Sequence, residues 1–272
     1  IWLLNMIGKR ILFISSGVVP YLPQNNVSNS TFHIPKVVNE RGGQTRIFIP
    51  KYGIINERRH QLHEVIRLSG MNLVIDDLDM PLIIKVASIP KERMQVYFID
   101  NEDFFKGRGL FSDKNNKLYD DNEERAIFFA KGVIETVKKL NWIPDLIHVH
   151  GWIASLIPLY CKQYYKNDPL LSQTKIITSF YEPPFKKNMV GDFISKIKFD
   201  GIDDTFITDL NPPSLDSLFC NAAKHSDAII KSSEMISENV KAFLNSINKP
   251  SLDLPLTENP IDAQIVLYES MF

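Results

Sequence analysis

The stretch best equipped for chemistry is His148-Val149-His150-Gly151-Trp152, which continues the short apolar run Asp145–His148. That run reads as a strand, and ligands in open α/β sheets bind near the carboxyl ends of strands. Imidazoles at such an edge can exchange protons near neutral pH. The other reading makes His148 and His150 core or strand-end residues with local hydrogen bonds. Trp152 either packs the start of the next helix or offers its face to a ring-bearing ligand. The next strand, Lys175–Ser179, leads into Phe180-Tyr181-Glu182. Tyr181 can hydrogen-bond a hydroxyl-bearing ligand. Glu182 is a carboxylate at the same edge, or simply an exposed loop acid. After the first strand, Arg10–Ser15, comes a loop rich in Pro and Asn, residues 17–26, which contains Pro23, Asn25 and Asn26.

Other clusters say less. Arg58, Arg59 and His60 follow Glu57 directly and read as a solvated loop or an anion contact. Cys161 and Cys220 sit in apolar helical contexts without metal-ligand spacing. No metal site is expected at either thiol, no cofactor is expected, and reduced thiols fit a cytoplasmic setting. The chain has 272 residues and a formal net charge of −1, with 44% apolar and 23% charged residues. That charge gives no global argument for nucleic acid or an anionic membrane. The length allows a full core without staples. The apolar stretch in residues 1–10 is too short to span a membrane, and its charges follow it, the wrong order for a secretory signal. Residues 1–9 are read as an extension ahead of the domain, with Met6 as the natural start.

The elements that must position these residues alternate between strand and helix, which argues for a largely parallel sheet. Strands are expected at Arg10–Ser15, Thr45–Ile49, Asp145–His148, Lys175–Ser179 and Asp227–Ile230. Helices are expected at 28–41, Asn122–Leu140, Trp152–Tyr164, Ser214–His225 and from a Ser232 or Ser233 cap to Ser246. Residues 61–100 read as an inserted antiparallel set, with strands at His63–Leu68, Leu82–Ala87 and Met94–Ile99. Residues 183–212 are weakly patterned and read as a mobile excursion. Residues 247–272, with Pro250, Pro255 and Pro260, read as an extended tail.

Several ordered segments carry a resemblance: RILFISSGVVPY, the Arg41-Gly42-Gly43 helix end, IFIPKYG, VYFIDNEDFF, DNEERAIFFAKGVIETVKKLNWIPDLIHVHGW and SLIPLY. From about Arg10 to Ser246 the chain resembles the N-terminal catalytic domain of bacterial glycogen/starch synthases. The resemblance implies a Rossmann-like parallel sheet with flanking helices and a β-rich insert, one half of a GT-B glycosyltransferase. It also implies transfer of glucose from ADP-glucose to an α-1,4-glucan without a metal. The donor-binding half is expected to be missing, so the chain alone is expected to be inactive. The implied partners are an α-glucan or a nucleotide sugar, and either a second copy of the chain or a separate donor-domain chain.

The resemblance also assigns positions. The family's K-x-G-G-L loop places Pro23 at the Lys and Asn25 and Asn26 where glycines stand. Its H-x-H-D-W motif places Gly151 at the Asp. Its T-I-H-N motif places Tyr181 at the His. Proline carries neither charge nor N–H, so this loop is expected to lose its charge-assisted phosphate contact. The alternative function is a non-catalytic glucan- or small-molecule-binding domain with a regulatory or interaction role, because fold does not fix function.

Overall fold

The structure is a computed structural model that describes residues 6–190 and 192–272. Residues 1–5 of the expected extension lie outside the described residues. Met6 itself is fully buried in the core.

In chain order the strands are β1 (Arg10–Ser15), β2 (Gln44–Pro50), β3 (His63–Glu64), β4 (Met71–Ile75), β5 (Leu78–Ile89), β6 (Met94–Asp100), β7 (Leu146–His150), β8 (Lys175–Phe180), β9 (Ala228–Lys231) and β10 (Ser251–Asp253). The helices are α1 (Asn26–Glu40), α2 (Glu57–His60), α3 (Glu102–Phe105), α4 (Asn122–Lys139), α5 (Ile157–Leu159), α6 (Phe193–Phe199), α7 (Leu215–His225), α8 (Glu238–Ser246) and α9 (Pro260–Glu269).

The sheet order is β10-β9-β8-β7-β1-β2-β6-β5-β3, with β4 paired to β5. From β10 to β6 every pairing is parallel. The pairings of β5 with β6, β3 and β4 are antiparallel. Both faces of the central strands are covered, so β1 and β7 are buried almost end to end; β1 reads as an apolar run, while β7 buries His148 and His150 among its apolar residues. Helix α1 starts cleanly because Asn25 and Ser28 form a reciprocal capping box. Pro35 stands inside it without ending it. Helix α4 carries Glu123 and Glu124 in its first turn and Lys138 and Lys139 in its last, matching the helix dipole.

Four expectations need correction. The strand expected at His63–Leu68 is only His63–Glu64, while Met71–Ile75 forms a strand and Leu78–Ile89 a longer one than expected. The helix expected at Trp152–Tyr164 is broken into a 3-10 turn, a short α turn and a π turn around Pro158. The cap of α8 is Ser237, whose side chain accepts from the Val240 N–H, not Ser232 or Ser233.

The fourth correction concerns the irregular segments. Within residues 183–212 the side chains of Met189, Phe193, Ile197, Ile202, Ile207 and Leu210 are buried. Lys131 of α4 forms a buried ion pair with Asp200, whose other oxygen accepts from the Tyr160 hydroxyl. The excursion is therefore packed. The tail is not extended either: it adds β10 and then α9. Pro260 lies at the first turn of α9, where its missing N–H costs nothing. Ile265 and Tyr268 of α9 are fully buried.

Candidate functional site at the switch point

The chain leaves β1 toward β2 and β6, then returns to β7 on the other side of β1. This reversal makes the carboxyl ends of β1 and β7 the topological switch point, where open α/β sheets bind ligands. A cleft of about 440 Å³ lies there. Its walls come from the loop after β1, the first turn of α1, and the residues after β7 and β8.

The structure brings most of the sequence-predicted residues to this one cleft. Pro23, Asn25, Asn26, Gly151, Trp152, Tyr181 and Glu182 all line it. His148 and His150 do not; they lie fully buried beneath it. Trp152 is also buried, and its ring meets Phe185 edge to face at 5.5 Å. Sequence reasoning missed Ser16, Val27, Leu110, Phe111 and Phe219, which also line the cleft. Ser16 was within reach of inspection because it directly follows β1. Nothing local marks the other four.

Below the cleft is a layer of buried polar groups. Ser15 Oγ accepts from the Gly17 N–H at 3.1 Å and from Thr31 Oγ1 at 2.8 Å. His148 Nε2 lies 2.8 Å from Ser179 Oγ. His150 Nδ1 lies 2.8 Å from the Tyr181 hydroxyl. The two imidazole centroids are 3.8 Å apart. Burial holds both rings neutral: His148 is pushed well below the usual histidine range, with the neighbouring His150 adding to the effect. His150 is lowered by burial to about 3. Burial likewise raises the Tyr181 phenol above its ordinary value, so it stays protonated. His150 Nε2 and Ser16 Oγ are buried with no hydrogen-bond partner.

Gly151 has φ of +81°, a conformation that L side chains rarely adopt. A Cβ there would overlap Ser16 Oγ and sit 2.8 Å from Ser16 Cβ. The backbone and Ser16 thus exclude any side chain at this position as the loop stands. Among the described residues, no Lys, Arg or His lines the cleft, and its one carboxylate is Glu182. No group of three or more His, Cys, Asp or Glu is placed to hold a metal ion among the described residues.

A parallel-dominated sheet flanked by helices, with its cleft at the switch point, is the architecture of one half of a GT-B glycosyltransferase. The fold is similar to the catalytic domain of Starch Synthase IV from Arabidopsis thaliana, solved bound to ADP and acarbose. The TM-score is 0.64 at 18% identity, covering 82% of this chain and 44% of that one. Residues 10–245 match the family described as starch synthase catalytic domain, and the chain belongs to that family. Its relatives include the glycogen synthase of Chlorobium limicola, 37% identical over 173 residues, and that of Chlorobaculum parvum, 34% identical over 201 residues. These matches cover 63% and 71% of this chain but only 35% and 41% of the relatives' length. No helix among the described residues is long and apolar enough to cross a membrane.

Proposed function

We propose that this chain is a glucan-binding domain of the glycogen/starch synthase type that transfers no glucose from ADP-glucose by itself. One observation carries the reading: among the described residues, no cation lines the switch-point cleft. A diphosphate bound there would have only backbone N–H groups and the dipole of α1 to offset its charge. Pro23 contributes neither of these. A neutral, hydroxyl-rich ligand has no such need. It finds the Asn25 and Asn26 amides and the Glu182 carboxylate. The solved neighbour is bound to acarbose as well as to ADP, so a saccharide is one of the two ligand classes that this fold carries. The neutral state of His150 removes an imidazolium as a substitute charge.

The test uses calorimetry of the purified chain with maltoheptaose and with ADP, alongside glucosyl transfer from ADP-glucose to glycogen. Maltoheptaose should bind, ADP should not, and no transfer should rise above background. Transfer above background, or ADP binding tighter than maltoheptaose, overturns the reading. The Pro23→Lys variant should gain ADP affinity by about tenfold through a restored charge-assisted contact.

A further inference from the structure

The first turn of α4 grips a loop that walls the cleft. Arg125 is fully buried, and its guanidinium is met by backbone and amide oxygens rather than by a carboxylate. Nη2 donates to the Gly109 carbonyl at 2.8 Å. Nη1 donates to the Leu110 carbonyl at 3.1 Å and to Asn122 Oδ1 at 2.9 Å. Asn122 Nδ2 in turn donates to the Phe111 carbonyl at 2.8 Å. Three successive carbonyls are thereby held by two side chains one turn of helix apart. The Gly109 N–H donates to the Tyr119 hydroxyl at 2.8 Å, which closes the loop on itself. The guanidinium lies over the rings of Phe105 and Tyr119 at 5.2 and 5.0 Å.

A buried cation without an anionic partner is costly, and an apolar side chain would fill the same space more cheaply. What the guanidinium supplies instead is direction, a planar fork whose donors fix carbonyls in set positions. The fixed residues are the ones that matter to the site, because Leu110 and Phe111 line the cleft. The Phe111 ring lies 5.1 Å from Phe185, and Phe185 meets Trp152. The loop before α4 is thus joined by an aromatic chain to the floor after β7.

We propose that Arg125, together with Asn122, is a positioning residue that fixes the Leu110–Phe111 wall and so sets the cleft's affinity for a ring-bearing neutral ligand. The affinity part rests on the glucan-binding reading; the clamp itself does not. The experiment combines hydrogen exchange of the unliganded chain with maltoheptaose titration, on wild type, Arg125→Lys and Asn122→Asp. Arg125→Lys keeps the charge and loses the fork. Asn122→Asp keeps an oxygen facing Arg125, now charged, and replaces the donor to Phe111 with an acceptor that repels its carbonyl, which provides a second variant if the first folds poorly.

Amides of residues 109–119 should exchange at least about tenfold faster in Arg125→Lys, the scale of losing a charge-assisted hydrogen bond, with β1 and β7 unchanged. Maltoheptaose should bind about tenfold more weakly, and Asn122→Asp should show the same pattern at smaller size. Unchanged exchange at 109–119, or equal acceleration everywhere, overturns the clamp. A loosened loop with unaltered maltoheptaose affinity overturns its role in the site. If wild type binds no maltoheptaose, the glucan reading falls and the exchange data alone decide the clamp.

Discussion

His148 and Tyr268, 120 positions apart in the chain, are joined by a buried hydrogen bond between the imidazole Nδ1 and the phenol. The other imidazole nitrogen reaches Ser179. Helix α9 is therefore not an appendage: its phenol completes the polar layer under the cleft. Tyr268→Phe should destabilise the fold by about 1 to 3 kcal/mol, the cost of leaving a buried acceptor or donor unpaired. A urea melt measures this, and a loss well under 1 kcal/mol would show that His148 finds another partner.

The buried histidines make stability depend on pH in one direction. The folded state keeps His150 neutral down to about 3, while the unfolded chain protonates it near its ordinary value of 6.5. The unfolded state binds more protons between these values, so stability is level above about pH 6.5 and falls as pH drops toward 3. His150 alone should cost about 2 to 3 kcal/mol by about pH 4.5. His148, shifted the same way, adds to the loss. Urea midpoints from pH 8 to 4.5 test this, and His150→Gln should flatten part of the slope.

Gly151 and Ser16 should behave as a coupled pair. Gly151→Ala places a Cβ against Ser16 in a left-handed backbone and should cost about 2 to 4 kcal/mol. Ser16→Gly removes both atoms that the new Cβ would overlap and leaves Val27 Cγ1 in ordinary contact at 3.5 Å. In the double variant mainly the backbone strain of the φ +81°, ψ 170° conformation remains, about 1 to 3 kcal/mol. A double-mutant cycle reads the difference as a coupling energy. Strict additivity would mean that the loop moves aside on its own.

The ion pair of Lys131 with Asp200 is buried on both sides, and the ammonium also donates to the Val74 carbonyl. Asp200→Asn should leave that ammonium uncompensated and cost about 3 to 5 kcal/mol. Thermal melts would register the loss. The effect should be global, because the pair ties α4 to the end of α6 and to β4.

Much of the site was legible because its residues follow the carboxyl ends of neighbouring parallel strands. The runs before Ser16, Gly151 and Tyr181 are short, mostly apolar and of strand length, and that pattern places three strand ends together. Phe111 was not legible, since its place depends on carbonyls held by Arg125 and Asn122 across a loop. Tyr268 was hidden by distance and by its helix: the segment Pro260–Glu269 is apolar without a clear face, so its prolines dominated the reading. Pro158 hid the break after Trp152 for the opposite reason, because the apolar run around it looked like an ordinary helix.

The short strands at the margins of the sheet bear on how this chain can meet others. β3 has two residues and β10 three, and Pro250 and Pro255 stand on either side of β10. The outer strand β4 gives up its Val74 carbonyl to Lys131. Little free backbone is left at these rims for a foreign strand to pair with, and proline has no N–H to offer. The β3 and β10 rims are therefore poorly suited to growth by strand addition. Contacts made at these two rims must come mainly from side chains meeting side chains.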